Sequence, residues 1–208
     1  MSTDARGVRM EELRAGVRES LPELERIKDA ELRDKVVEAW AIALSQTEFR
    51  RIEDVPPEGN PGEWVLQRGT QADHIRAVAR MAAAMADEVE AVFGSLGIDR
   101  DVLIAGGLVH DVGKPYEMDP SNQRRWRSNP AAAGLPVLRH PAYGAHLALT
   151  VGLPEAVVHC AGCHSLGAEG QFVLAGLETM LVQYADSCSW RLLHRAGVVT
   201  NPPKGIRG

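Results

Sequence analysis

Apolar residues recur every three or four positions along most of the chain, which is the spacing of one buried face of an α-helix. Over 9–50 this pattern predicts two helices, one at about 10–20 and one that begins at Pro22. Later helices are predicted over the ranges 70–94, 99–113, 141–152, 154–164 and 170–195. No stretch alternates between apolar and polar residues clearly enough to predict a β-strand.

Capping residues, prolines and glycines mark where the predicted helices begin and end. Asp99 or Asp101 would cap the helix at 99–113, and Gly113 and Pro115 would end it. The segment 52–69 is rich in proline and glycine, so it is predicted to be a loop.

A second polar stretch, 116–139, also carries proline and glycine. It is predicted to be a long loop beside a functional site, because structureless loops of this length are usually functional or disordered. The last residues are predicted to be extended and exposed. The sequence thus divides into N-terminal helices with a loop that pack on the core, the helical core itself, and a tail, over 1–69, 70–195 and 196–208.

The composition fits one all-α domain with an N-terminal helical extension. A chain of 208 residues with 45% hydrophobic residues can form a sizeable core. Aromatic residues make up only 5%, which favours helices over sheets. The formal net charge is −5, so nucleic acid is not the expected partner.

Neither the start of the chain nor its cysteines suggest export. The first residues are polar, and no run of apolar residues is long enough for a membrane span, so no membrane partner is expected. The three cysteines do not form the framework of a secreted disulfide protein, and the cytoplasm is the expected location. Cys160 and Cys163 with His164 also match the c-type haem attachment motif, but that interpretation requires export.

The strongest chemical signal is an ionisable pair at the end of an apolar helix. His110 and Asp111 follow the stretch LIAGGLV, where burying them costs free energy unless each group is paired or bound to a metal. His74 stands near the start of the preceding helix, and antiparallel packing would bring it to the same end. Because a single histidine is more often structural, the metal hypothesis needs further donors. Imidazole and carboxylate groups suit iron, manganese, zinc, cobalt or nickel.

Several motifs, which together span residues 70–190, resemble those of the HD superfamily. LVHDVGKP looks like the signature that defines the superfamily, and DHIRAVARMA looks like the helix that carries its first histidine. RHPAYGAHLALTVGLPEAVVHCAGCHS resembles the later histidine-bearing helices of HD phosphohydrolases, and LETMLVQYADSCS the helix with the closing aspartate. The resemblance implies an all-α HD-domain helical bundle.

The resemblance also implies a ligand set for one or two divalent transition metals. The positions that hold the first metal in the family are occupied by His74, His110, Asp111 and Asp186. The extra positions of dinuclear members are occupied by His140 and His164, with Asp111 as the bridge. We therefore expect a dinuclear centre that holds iron, manganese, nickel or zinc, with iron favoured.

A small anionic substrate is expected beside these ligands. Asp111 and Lys114 are the predicted catalytic residues, since in similar proteins a lysine at the position of Lys114 contacts an anionic group or stabilises charge. Arg139 is a candidate substrate residue because it precedes a predicted ligand, and Arg124 and Arg127 could clamp a phosphate through their guanidinium groups. The oligomeric state stays open between a monomer and a homodimer.

Three functions are compatible with this set of residues. The favoured one is hydrolysis of a small phosphorylated or nucleotide-like substrate by a metal-activated hydroxide. The second is a mixed-valent di-iron oxygenase similar to myo-inositol oxygenase and to the phosphonate-cleaving HD oxygenases. The third is a non-catalytic HD signalling module. Cyclic-di-GMP hydrolysis is disfavoured, because the SLGAEG stretch after His164 departs from the pattern of that branch.

Overall fold

The computed structural model describes residues 3–129, 138–165 and 176–201, with side chains described from Arg9 onward. The predicted tail beyond 201 lies outside these residues. Helices make up most of the described chain, and a small three-stranded sheet is the exception within it. The predicted all-α helical bundle is therefore confirmed. None of the described helices combines the length and the apolar character that a bilayer crossing requires.

The N-terminal part contains helices α1 (Thr3–Ser20) and α2 (Ala30–Ser45). The prediction of one continuous helix from Pro22 is wrong, because Pro22–Arg26 forms only a short 3-10 helix. The side chain of Asp29 then caps α2 by accepting hydrogen bonds from two backbone N–H groups of its first turn. Leu24, Ile27 and Leu32 are all buried, so the apolar pattern continues across the interruption.

The predicted loop at 52–69 contains a 3-10 turn (Ile52–Asp54) and two antiparallel strands, β1 (Glu58–Asn60) and β2 (Glu63–Leu66). A third strand, β3 (Val199–Thr200), pairs with β2 in an antiparallel manner. The prediction that the chain lacks strands is wrong here, and the tail, predicted to be exposed, is buried at Val199. Strands this short cannot show a clear alternation, and β3 comes from a distant part of the chain, so no local pattern indicates the pairing.

The two central helices are confirmed as α3 (Gln71–Phe93) and α4 (Arg100–Val109), although α4 ends at Val109 and not at Gly113 as predicted. Thr70 caps α3 through its side chain, and the carboxylate of Asp73 accepts a hydrogen bond from the Thr70 N–H in return. Asp99 is the cap of α4. These caps fix where the first turns of both helices begin.

Helices α3 and α4 approach each other closely at Gly107. A Cβ atom there would lie 2.7 Å from the Cα of Ala79, so the contact requires glycine. On the other side of α4, the fully buried Trp40 of α2 donates its indole N–H to the carbonyl oxygen of Leu108 at 2.8 Å. The N-terminal helices and α4 thus share one apolar core.

The stretch 116–139, predicted as a long loop, is in part helical. It contains most of α5 (Lys114–Met118) and all of α6 (Pro120–Arg127), while 130–137 lie outside the described residues. Pro115 does not end a helix but lies in the first turn of α5, where its missing N–H has no acceptor to lose. Polar helices this short carry too few apolar positions to show a period.

The remaining predicted helices are confirmed as α7 (His140–Thr150), α8 (Glu155–Cys163) and α9 (Leu177–Arg195). Their ends agree with the prediction to within two residues, except at the start of the helix predicted over 170–195. The first part of that prediction falls within 166–175, outside the described residues. α9 packs against α3, α4 and α8, and the following β3 returns the chain to the hairpin.

Candidate metal centre

The turn that follows α4 carries His110 and Asp111, and both are buried. His110 donates its Nδ1–H to the carbonyl oxygen of Gly107 at 2.7 Å. This bond places the ring proton on Nδ1 and leaves the Nε2 lone pair directed into the bundle. Burial lowers the pKa of His110 to about 4, so the imidazole is neutral at pH 7.

One group of donors forms around His74, in the first turns of α3. Its Nε2 lies 3.3 Å from Nε2 of His110 and 3.5 Å from Oδ2 of Asp111. Oδ1 of Asp186, on α9, lies 3.2 Å from the same nitrogen. This Oδ1 atom is buried and has no hydrogen-bond donor among the described residues. Four predicted ligands therefore converge here, and the Asp186 oxygen is available to a cation.

A second group forms where α7 begins and α8 ends. Nε2 of His140 lies 3.2 Å from Nε2 of His164. Oδ1 of Asp111 lies 3.3 Å from the first of these nitrogens and 3.5 Å from the second. Burial and the charge of Lys114 lower the pKa of His140 to about 4, so this imidazole is neutral.

Asp111 joins the two groups, because its carboxylate oxygens face in different directions. Oδ2 faces His74 and His110, whereas Oδ1 faces His140 and His164. Burial would raise the pKa of Asp111, but Lys114 and the surrounding histidines hold it well below its usual range. The group is therefore an ionised carboxylate with one oxygen for each pair of imidazoles.

The donors fit divalent transition metals. Nδ1 of His140 is bonded to the carboxylate of Glu117, and Nδ1 of His164 donates to the carbonyl oxygen of Ala161 at 2.9 Å. With both Nδ1 atoms occupied as donors, the two Nε2 atoms face each other at 3.2 Å and both face Oδ1 of Asp111, an arrangement that suits a cation between them. Two groups of three side chains could hold an ion, His74–His110–Asp111 and Asp111–His140–His164.

Glu117, which the sequence did not single out, supports the second group. This fully buried carboxylate on α5 contacts Nδ1 of His140 and Nε of Arg139. Burial would raise the pKa of Glu117, but the bond from His140 and the neighbouring positive charges lower it to about 2. Arg139, predicted as a substrate residue, also donates to Oδ1 of Asn60 at 2.7 Å, so its guanidinium is engaged by protein groups. A carboxylate behind a ligating histidine orients the ring and makes it a stronger donor.

We expect Glu117→Gln to weaken metal binding at the His140–His164 position by about 10-fold to 100-fold. The amide still accepts the Nδ1–H bond but lacks the charge that makes His140 a better donor. Titration of the metal-loaded protein with a chelator removes the more weakly bound ion first, and so measures its affinity in the variant and in the native protein. Glu48→Gln, which changes an exposed carboxylate that accepts from Ser121, should leave this affinity unaltered. Equal affinities in the Glu117 variant and the native protein would contradict the expectation.

Two further side chains of this region were missed by the sequence analysis. Gln71 is fully buried and donates its Nε2–H to Oδ2 of Asp111 at 2.8 Å, and its Oε1 is an unpaired buried acceptor among the described atoms. It lies three residues before His74, so a helical period places both on one face of α3. The ring of Trp190, on α9, packs against the imidazole of His74 with centroids 4.8 Å apart.

A cavity of about 300 Å³ opens onto the two groups. Its lining includes ligand candidates from both, together with hairpin residues and part of α9: Gly59, Asn60, Trp64, Asp111, Lys114, His140, His164, Ser165, Asp186, Ser187, Trp190 and Arg191. The buried Lys114 lines this cavity, as its prediction as a catalytic residue requires. Its Nζ donates to the carbonyl oxygens of Glu58 and Gly59, each at 2.5 Å.

None of the three arginines predicted to bind substrate is among the residues that line the cavity. Arg124 lies on α6 and donates to the side chains of Ser121 and Glu48. Arg127 is exposed on the same helix, and neither residue lines the cavity. Arg191 does line it, although the sequence analysis did not select this residue.

All six candidate ligands lie within a region of the chain that matches a known domain family. The sequence model of the HD domain family matches residues 72–191. A relative described as dihydroneopterin 2',3'-cyclic phosphate phosphodiesterase, from Methanocaldococcus jannaschii, is 37% identical over 99 residues. The match covers 44% of this chain and 38% of that relative. A search of solved structures gave no significant match.

Proposed function

The chain belongs to the HD domain family, and from this premise we propose that it is a metal-dependent phosphohydrolase that acts on a small phosphorylated or nucleotide-like substrate through a dinuclear centre. The observation that carries the proposal is the position of Asp111, whose two oxygens face separate pairs of histidines. A carboxylate shared in this way fits two neighbouring cations.

We assign the six side chains to two ion positions. The first would be held by His74, His110, Asp111 and Asp186, and the second by Asp111, His140 and His164. When bound, two divalent cations supply Lewis-acid polarisation of a phosphoryl group and lower the pKa of a coordinated water towards neutrality. His110 and His140 are neutral and Asp111 is ionised, which are the protonation states that this role needs. Burial would lower the pKa of His164, but its bond to Asp111 raises it, so a metal ion at this nitrogen competes with a proton.

Lys114 and Arg191 are the cations of the chain assigned to the substrate. The ammonium group of Lys114 is buried at the cavity wall beside Asp111, where it adds positive charge near an incoming anion. Arg191 lines the same cavity, is exposed, and forms no ion pair with any described residue. Its guanidinium group is therefore available to take phosphate oxygens in a bidentate manner.

The name of the relative supports the reaction class. That protein is named as a phosphodiesterase for a cyclic phosphate, and it is 37% identical to this chain over 99 residues. We propose for this chain the shared reaction class alone, which is hydrolysis of a phosphoric ester.

Anaerobic reconstitution tests the function. Metal-free protein would be loaded separately with Fe(II), Mn(II), Ni(II) or Zn(II) under argon and assayed with 2′,3′-cyclic AMP and bis(p-nitrophenyl) phosphate. We expect ester cleavage under argon, and elemental analysis should find two metal ions per chain. Oxygen consumption on aeration without ester cleavage under argon would favour the di-iron oxygenase. Metal binding without either reaction would favour the signalling module.

A further inference from the structure

We propose that Trp64 and Trp190 bind an aromatic heterocycle of the substrate, so that the ester cleaved carries a planar ring system on its alcohol half. This inference rests on the proposed function and names the substrate class for the same site. Both indole side chains line the cavity that opens onto the candidate metal centre. They come from separate elements, β2 and α9, and both are half-buried.

Each indole ring is held by an imidazole. The ring of Trp190 packs on His74 with centroids 4.8 Å apart, and that of Trp64 packs on His194 at 4.7 Å. Through the contact with His74, the indole of Trp190 lies directly beside the candidate ligands around His74. Rings fixed in this way lose little conformational entropy when a ligand stacks on them.

The backbone at Trp64 indicates that its position is selected for something other than local folding. Its φ of 55° lies in the left-handed region, and among the described residues no other side-chain-bearing residue has a positive φ. A bulky residue in that region costs free energy. Strain of this kind persists where the surrounding structure enforces it, and it is concentrated at functional sites.

Several contacts enforce the position of Trp64. Its backbone N–H donates to Oδ1 of Asn201 at 2.9 Å. Gly59 lies opposite on β1, where a Cβ atom would come within 2.9 Å of the Trp64 Cβ. Lys114 holds the same hairpin by donating to the carbonyl oxygens of Glu58 and Gly59. The hairpin is therefore fixed to the start of α5, three residues after Asp111, and Trp64 is fixed beside the cavity.

Size and charge along the cavity agree with one heterocycle attached to one phosphate. A volume of about 300 Å³ is at the small end of ligand sites, which suits a single nucleoside-sized group better than a dinucleotide. The phosphate would lie next to the candidate ion positions near Asp111, and Arg191, which also lines the cavity, is available to it. By contrast, Trp40 is completely buried in the apolar core, as a purely structural tryptophan is.

Binding of phosphate-free ligands tests this inference without turnover. Adenosine, guanosine and neopterin would be titrated by calorimetry against the metal-loaded protein, with ribose as the reference. We expect at least one of the three to bind more tightly than ribose. Trp64→Leu and Trp190→Leu should each weaken that binding by about 5-fold to 100-fold, the range found for loss of one stacked aromatic. Trp64→Phe, which keeps an aromatic ring at this position, should bind the same compound nearly as tightly as the native protein does.

A second measurement uses the esters themselves. We expect kcat/KM for 2′,3′-cyclic AMP to exceed that for glycerol 1,2-cyclic phosphate, and the ratio to fall in both leucine variants. Trp126→Phe, at a buried tryptophan on α6 away from the cavity, should keep the native ratio. Equal binding of ribose and all three ring compounds, or unchanged binding in both leucine variants, would overturn the inference. If the native metal-loaded protein bound the ring compounds but cleaved no ester, the result would instead count against the proposed function.

Discussion

Replacing Asp111 by asparagine is expected to lower phosphoric-ester turnover by roughly a thousandfold or more, beyond the about 10–100-fold typical of residues that only support a ligand. The substitution preserves shape but leaves a single acceptor oxygen. Because the two oxygens of Asp111 face different pairs of histidines, an amide NH₂ would then face one pair. Metal content should fall from two ions per chain to one or none.

The buried charge at this position adds an effect on stability. Lys114 is buried, and its charge is among those that hold the pKa of Asp111 well below its usual range. Removing the carboxylate takes away one of the negative charges near this ammonium group, whose hydrogen bonds go to neutral carbonyl oxygens, and this is unfavourable in a buried environment. We therefore expect a lower midpoint of thermal unfolding for Asp111→Asn even in metal-free protein, measured by circular dichroism.

Asp119→Asn is the matched control. Asp119 is also a buried aspartate, but its carboxylate caps α6 and accepts a backbone N–H from Glu48. Its variant should be less stable and still bind two metal ions with near-native turnover. If the Asp111 variant kept both ions and its turnover, the assignment of this carboxylate as the bridge would be wrong.

Three of the candidate ligands lie at positions that local rules mark, and the other three, His140, His164 and Asp186, were predicted from the resemblance to the HD superfamily. His110 and Asp111 stand at the end of an apolar helix, where ionisable groups are costly. His74 lies one turn inside a helix with a recognisable capping box. The order of these groups along the chain matches the HD domain, and the structure brings all six candidates together.

The supporting residues could not be found in the same way. Glu117 lies in a polar stretch without helical period, and its role depends on α5 packing against the start of α7. Trp64 lies in a hairpin that is completed by β3 from near the end of the described chain. Such contacts are set by tertiary packing between distant segments, which residue spacing does not encode.

The hairpin and the metal centre are connected through the chain itself. Lys114 binds the β1 carbonyl groups, and Arg139 joins Asn60 of the hairpin to Glu117 behind His140. Both connections use cations that the sequence analysis had assigned to substrate. The same positive groups therefore position the cavity wall and stabilise the carboxylates next to the candidate ligands.

Gly113→Ala should be the most destabilising single methyl addition near the centre. A Cβ at Gly113 would collide with the carbonyl oxygen of His140 and lie 2.8 Å from the backbone N of Gly144. The φ of Gly113 is −81°, so the effect comes from this collision and not from an unfavourable dihedral angle. Because both partners are backbone atoms of α7, they cannot move without shifting the helix. We expect a loss of about 3 kcal/mol or more in the free energy of unfolding, measured in urea.

Gly144→Ala separates this collision from any general cost of filling the interface. A Cβ at Gly144 would lie 3.3 Å from the backbone N of Gly113 and 3.4 Å from a methyl carbon of Val112, which small adjustments can relieve. Its unfolding free energy should therefore remain closer to native than that of Gly113→Ala. Since His140 begins the helix that Gly113→Ala displaces, the ion at the His140–His164 position should also be lost first. Native stability and two bound ions in Gly113→Ala would show that the turn after α4 does not pack tightly against α7. The position of His140 would then not depend on this contact.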